Sequence, residues 1–180
     1  MTAPAPMDDD QLSRRSRMGR HGSRRRWCSL AKMPILRAMA LIEDEECIAR
    51  IVAQTRRVAV LGIKTEDHAG QPAFYVPRYL RDAGLDVIPV PVYFPAVKEI
   101  LGRPVYRKLI EVPGEIDLVD VFRRSRDIDA HVDDLIAKRP RAVWFQSGIR
   151  NEAAAQRLSE AGIDVVQDRC LMVEHRMLAR

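Results

Sequence analysis

From residue 58 onward the sequence is punctuated by five short runs of apolar, largely β-branched residues: Val58–Gly62, Leu85–Val92, Ile116–Phe122, Ala142–Gln146 and Ile163–Gln167. A strand with one wet face alternates apolar with polar residues, whereas runs this continuous suit strands buried on both faces. The stretches between them read as helices. Glu43 to Thr55 places Ile48, Ile51 and Val52 on one face, and Phe74 to Asp82 is closed by Gly84 just past its end. Ser125 is expected to cap a helix running to Lys138, and Asn151 one running to Ala161 ahead of Gly162. This succession predicts an α/β fold: a three-layer sandwich with a parallel sheet of about five strands, helices on both faces and right-handed crossovers.

A length of 180 residues suits a single domain of this kind. The net charge of +5 would suggest nucleic acid if it were spread over the fold, but it is not. Residues 1–38 hold nine Arg and Lys against three Asp, while residues 39–180 hold 21 against 22. Seven arginines lie between Arg14 and Arg26 among serines and glycines, a composition with little apolar surface to bury. Residues 1–38 are therefore expected to be a disordered basic extension and residues 39–180 the folded domain. Met33 and Met39 both precede the first periodic segment, and translation from either would omit most of that extension. A basic tail holds phosphates by counterion release and reads no sequence, so no specific nucleic acid is expected as a partner. No apolar run approaches the roughly eighteen residues of a membrane span, and the N-terminus lacks the pattern of a secretory signal. No membrane partner and a cytoplasmic location are the corresponding expectations.

In an open parallel sheet, ligands bind outside the carboxyl ends of the strands. Those ends read Gly62-Ile63-Lys64-Thr65, Pro91-Val92, Phe122-Arg123-Arg124, Gln146-Ser147-Gly148 and Asp168-Arg169-Cys170. Gly62 permits close backbone approach, and the helix that follows offers free N–H groups to a phosphate. What is missing narrows the ligand. G-x-G-x-x-G is absent, and the second strand ends in Pro91-Val92 where an NAD site would carry an acidic residue for the ribose. A Walker A loop, a G-x-S-x-G elbow and a metal-ligand spacing among the four histidines are absent too. The three cysteines, Cys28, Cys47 and Cys170, form no C-x-x-C. No self-contained catalytic constellation is present.

In order and spacing, the pieces Val58–Gly62, Val87–Val90, Ile100–Tyr106, Asp117–Arg124, Ala142–Ile149 with Asn151–Ala154, and Asp168–Cys170 with Glu174–His175 resemble one family. It is that of the stand-alone CoA-binding Rossmann-like proteins, related to the CoA-binding domain of the succinyl-CoA synthetase alpha subunit. The resemblance implies a Rossmann-like fold and coenzyme A or an acyl-CoA as cofactor. It implies that Gly62, Ile63 and Lys64 border the diphosphate, that Pro91 and Val92 line the adenosine, and that Phe122, Arg123, Arg124 and Gln146 flank the other side. The chain departs from the family at Lys64–Gln71, where a short Ser-containing loop is usual, and at Pro91–Phe94, where Asn-Pro or Ser-Pro is usual.

CoA carries a diphosphate and a 3′-phosphate, so the cations Lys64, Lys98, Arg123 and Arg124 are the candidates to hold them. Cys170 follows the fifth strand end beside Arg169, a cation that would favour the thiolate, which makes it the candidate reactive thiol. Asp168, Arg169, Glu174 and His175 are expected to tie the last segment to the sheet. The expected function is a binding module for CoA or acyl-CoA without chemistry of its own. The alternatives are a CoA-presenting part of an acyl-CoA synthetase-type complex or, further off, an NAD-responsive regulator. The expected partner is the small nucleotide cofactor, with a protein partner or a second copy left open.

Overall fold

The structure is a computed structural model and describes residues 41–179. The expected basic extension therefore lies outside the described residues. Helices α1 (Glu45–Gln54), α2 (Pro72–Asp82), α3 (Asp129–Lys138), α4 (Glu152–Glu160) and α5 (Leu171–Leu178) alternate with β1 (Arg57–Leu61), β2 (Asp86–Val90), β5 (Leu118–Val121), β6 (Ala142–Phe145) and β7 (Asp164–Val166). These strands make one parallel sheet in the order β2-β1-β5-β6-β7. Leu41 adds a parallel bridge to Val165 at its far edge. The remaining strands, β3 (Glu99–Ile100) and β4 (Arg103–Pro104), form a small antiparallel hairpin over a turn in which Leu101 and Gly102 both take positive φ, 55° and 70°.

The strands are buried on both faces, and alternate residues divide between two cores. Val58, Val60, Leu118 and Trp144 point to one face, where Ile48 and Ile51 of α1, Phe74 and Leu80 of α2 and Leu171 of α5 cover them. Ala59, Val119, Val121, Val143 and Phe145 point to the other, under Val132 and Leu135 of α3 and Ala155 and Leu158 of α4. This is the three-layer α/β sandwich that the apolar runs predict. Burial of these faces is the main stabilising contribution, at about 25 cal/mol for each square ångström of apolar surface removed from water.

The local signals held in part. Asn151 caps α4, its Oδ1 accepting from the N–H of Ala154 at 2.9 Å, and Asp44 caps α1 through the N–H of Cys47 at 2.8 Å. Helix α2 begins at Pro72, two residues ahead of the expectation, because a proline at the first helical position has no N–H to leave unpaired. Ser125 does not cap α3. It opens a single 3-10 turn, Ser125–Asp127, and its hydroxyl accepts from the N–H of Arg150 at 3.3 Å, so the α-helix starts only at Asp129. A tertiary partner has claimed the oxygen that a cap would use.

The strand order fixes the crevice. From β1 the chain moves out through α2 to the edge strand β2, then returns past β1 to build β5, β6 and β7 on the other side. The order reverses between β1 and β5, and a crevice opens outside their carboxyl ends at such a point.

Candidate functional site

At the reversal, Gly62 follows β1 and Phe122-Arg123 follows β5. Gly62 has φ +89°, and a Cβ there would lie 2.5 Å from the Phe122 carbonyl oxygen and 3.2 Å from Arg123 Cδ. Both its conformation and its crowding therefore require glycine. The next residue, Ile63, is buried in the first core, so only its backbone faces the rim. The N–H of Lys64 donates to the Ala73 carbonyl at 3.0 Å, which sets Lys64 beside the first turn of α2, an end that no side chain caps.

Arg123 is the unusual member. Its side chain is only 10% exposed and reaches Asp127 at 3.6 Å, while its Nε has no hydrogen-bond partner among the described residues. A guanidinium does not shed its charge in a protein, so a buried, unpartnered N–H is costly unless a ligand supplies an acceptor. The charge is felt nearby: after burial, Arg123 is the main influence holding His131 below its ordinary value. Over the two cations lies the loop from β2. Lys64 Nζ sits 5.0 Å from the Tyr93 ring centre and 5.2 Å from that of Phe94, and the Arg123 guanidinium sits 5.2 Å from Tyr93. Phe94 also packs on His68, ring centres 5.3 Å apart.

The other candidates scatter. Pro91 is buried at the root of the β2 loop and Val92 is exposed beside it. Phe122 packs partly on the first core, as expected of a strand-end aromatic. Arg124 is exposed and acts on Tyr93 only weakly, by charge. Lys98 is exposed just ahead of the β3–β4 hairpin and takes no part in the ring and ion contacts that join Lys64, Tyr93 and Arg123. Gln146 is buried, and its Nε2 donates to Asp120 Oδ1 at 2.7 Å, so its amide is committed inward. Cys170 is half-buried against the first core at the start of α5. Its neighbour Arg169 is bound to Glu45 at 2.5 Å and Glu174 at 3.2 Å, so the cation expected to activate the thiol is already paired. The last segment is tied down as the sequence suggests, with Tyr79 and His175 sharing a hydrogen bond of 3.1 Å and Asp168 accepting from the Gly148 N–H at 2.6 Å.

Sequence reasoning missed Asp120. It lies on β5 with no exposed surface, and its second carboxyl oxygen has no partner among the described residues. Burial pushes its pKa up to about 7, against the hydrogen bond from Gln146. A carboxylate inside an otherwise apolar five-residue run was the available signal. Elsewhere among the described residues, one cavity of about 330 Å³ lies between Leu41, Arg150 and Arg169 and another of about 470 Å³ between Tyr75, Arg78, Tyr79 and Arg176. In the first, both arginines are paired with carboxylates, and neither cavity includes Lys64, Tyr93 or Arg123. The unpartnered Nε of Arg123 makes the crevice the better candidate.

No helix among the described residues is long and apolar enough to cross a membrane, and no group of metal-ligating side chains occurs among them. The uncharacterised protein YneT of Bacillus subtilis is 34% identical over 128 residues, covering 71% of this chain and 91% of its own length. A Thermus thermophilus protein of known structure is 39% identical, with a TM-score of 0.68 over 75% of this chain and 98% of that one. A Pyrococcus horikoshii protein is 30% identical, with a TM-score of 0.69 over 82% of this chain and 100% of that one. A dinucleotide-forming acetyl-coenzyme A synthetase of Ca. Korarchaeum cryptofilum, at 19% identity and a TM-score of 0.51 over 59% of this chain and 25% of that one, shares the fold. The CoA binding domain family matches residues 56–176, from the residue before β1 into α5, and the chain belongs to that family.

Proposed function

We propose that this chain binds coenzyme A, free or acylated, in the crevice between the carboxyl ends of β1 and β5, and acts as a binding module in the cytoplasm. The observation that carries the reading is the buried Arg123 guanidinium with its unpartnered Nε, set against a glycine that brings two chain segments together. The residues suit the diphosphate: Gly62 lets the Phe122–Arg123 segment close on the β1 end, Lys64 supplies a point charge, and Arg123 supplies a planar fork for paired oxygens. Pro91 and Val92 border the adenosine side, and β2 ends without a carboxylate to hold the ribose of NAD. The chain's residues bind and orient in this scheme, and none is assigned a chemical step.

Isothermal titration with CoA, dephospho-CoA and NAD tests it. CoA is expected to bind and NAD to compete poorly. Arg123→Ala is expected to weaken CoA by about 1.5 to 3 kcal/mol, as the loss of a charged hydrogen bond does. Tighter binding of NAD than of CoA would sink the reading.

A further inference from the structure

The same aromatic side chain lies against both crevice cations. Tyr93 leaves the end of the edge strand β2, meets Lys64 beyond β1 and reaches Arg123 beyond β5, with the ring 5.0 Å from one cation and 5.2 Å from the other. It spans the reversal from one side to the other. Core packing does not account for this position, since Tyr93 is 51% exposed. Arg123 is also the main influence holding the Tyr93 phenol below its ordinary pKa.

The segment is held from one side. Arg107 donates to the carbonyls of Phe94 at 3.2 Å and Pro95 at 3.1 Å, and also to that of Val97. Phe94 is kept at φ +64°, a region that non-glycine residues rarely occupy. With the backbone pinned from Phe94 onward, the motion left to Tyr93 is rotation about its own side-chain bonds.

We infer that Tyr93 is an internal competitor for the crevice: its ring covers the ground on Lys64 and Arg123 that a phosphate would take, and ligand entry requires the ring to swing away from both. The inference rests on the proposed anion site but not on CoA in particular, because any phosphate-bearing ligand meets the same obstacle. Chemistry allows the exchange. A cation–π contact at an exposed site changes an equilibrium by roughly two- to fivefold, less than a charge-assisted hydrogen bond to phosphate. The ring thus occupies a buried arginine in the free protein beside its ion pair with Asp127, and gives way to a stronger partner.

The opposite role, a ring that stacks on the ligand, predicts the opposite mutant. Wild type, Tyr93→Ala and Tyr93→Leu would be titrated with inorganic pyrophosphate and, separately, with CoA. Tyr93→Ala is expected to bind pyrophosphate roughly fivefold or more tightly than wild type, both contacts being removed. Tyr93→Leu, which keeps apolar bulk and loses both ring contacts, is also expected to bind pyrophosphate more tightly than wild type, and it carries the test by itself if the alanine variant does not fold. Equal or weaker pyrophosphate binding by the variants overturns the inference. Wild type that binds pyrophosphate but not CoA overturns the CoA reading while the variants still decide the role of Tyr93. Absence of binding of either ligand to all three proteins overturns both.

Discussion

Asp120 and Arg123 stand three residues apart, one inside the sheet on β5 and one at its carboxyl rim, and each buries an ionisable group with an unpartnered atom. Their surroundings differ in what they allow. Asp120 lies between Val60 of β1 and Trp144 of β6 with one amide donor from Gln146, and no charged group contributes to its shift. A carboxyl group there can settle the conflict by keeping its proton. Arg123 has no such escape, because its guanidinium stays charged at any pH a folded protein meets. Burial of an acid in the sheet is thus a matter for the fold, while burial of an arginine at the rim points outward, to a ligand. A buried, unsatisfied group is evidence of function only when it cannot neutralise itself.

The largest expected effect tests the interior half of this contrast. The Asp120 carboxyl is pushed from its ordinary 3.8 to about 7, so between those values the folded chain binds a proton that the unfolded chain has released. Stability is therefore full below the unfolded value and is lost as pH rises through the folded one. The loss across that window is on the order of 4 kcal/mol, at about 1.4 kcal/mol for each pH unit. Asp120→Asn, which cannot ionise, should remove most of that slope in urea unfolding followed from pH 4 to 9. An unaltered slope in the variant would mean that Asp120 does not dominate it.

Gly62 sharpens the other half, since it sets the distance between the β1 end and Arg123. Gly62→Ala places a methyl group against the Phe122 carbonyl oxygen and forces alanine into positive φ. It is expected to lower unfolding stability by about 2 to 3 kcal/mol, as strained backbone positions do. CoA affinity should also fall, because Arg123 Cδ lies 3.2 Å from the new atom. Normal stability and affinity would show that the close approach is not needed.

The same contrast explains what the sequence reveals. Strands buried on both faces appear as apolar runs, so their number and order, and with them the crevice, were legible. Their ends were less so: Gly62, Pro91, Phe122 and Gln146 each lie one residue past the last strand residue, where positive φ at Gly62 and a missing N–H at Pro91 help to end the pairing. Lys64 and Arg123 could be picked out because a rim position and a charge are both readable. The cover over them could not, since the path of Tyr93 across two strand ends depends on the Arg107 clamp thirteen residues beyond Phe94. Arg124 shares the strand end and the charge of Arg123, and Lys98 was chosen for its charge, but neither signal separates an exposed side chain from one set against the crevice. Ser125 failed as a cap because its hydroxyl had gone to a partner distant in sequence, Arg150, and the Gln146 amide likewise donates to a distant partner, Asp120.

Arg124 supplies the smallest effect and the sharpest control. It neighbours Arg123 in sequence and carries the same charge, but it is exposed, and its influence on Tyr93 is the weakest of those acting there. If formal charge near the crevice were what mattered, the two arginines would contribute alike. If a buried guanidinium with an unpartnered Nε is what matters, Arg124→Ala should change CoA affinity by less than about 0.5 kcal/mol, in the range of exposed charge interactions. Whatever change remains should fade between 50 and 500 mM salt, because an exposed charge is screened within about 10 Å at 0.1 M and within less as salt rises. The loss in Arg123→Ala should persist at high salt, since a guanidinium bonded to phosphate in a buried setting is screened far less. Calorimetry of both variants at the two salt concentrations separates the cases, and equal, salt-sensitive losses would reduce the site to a diffuse patch of positive charge.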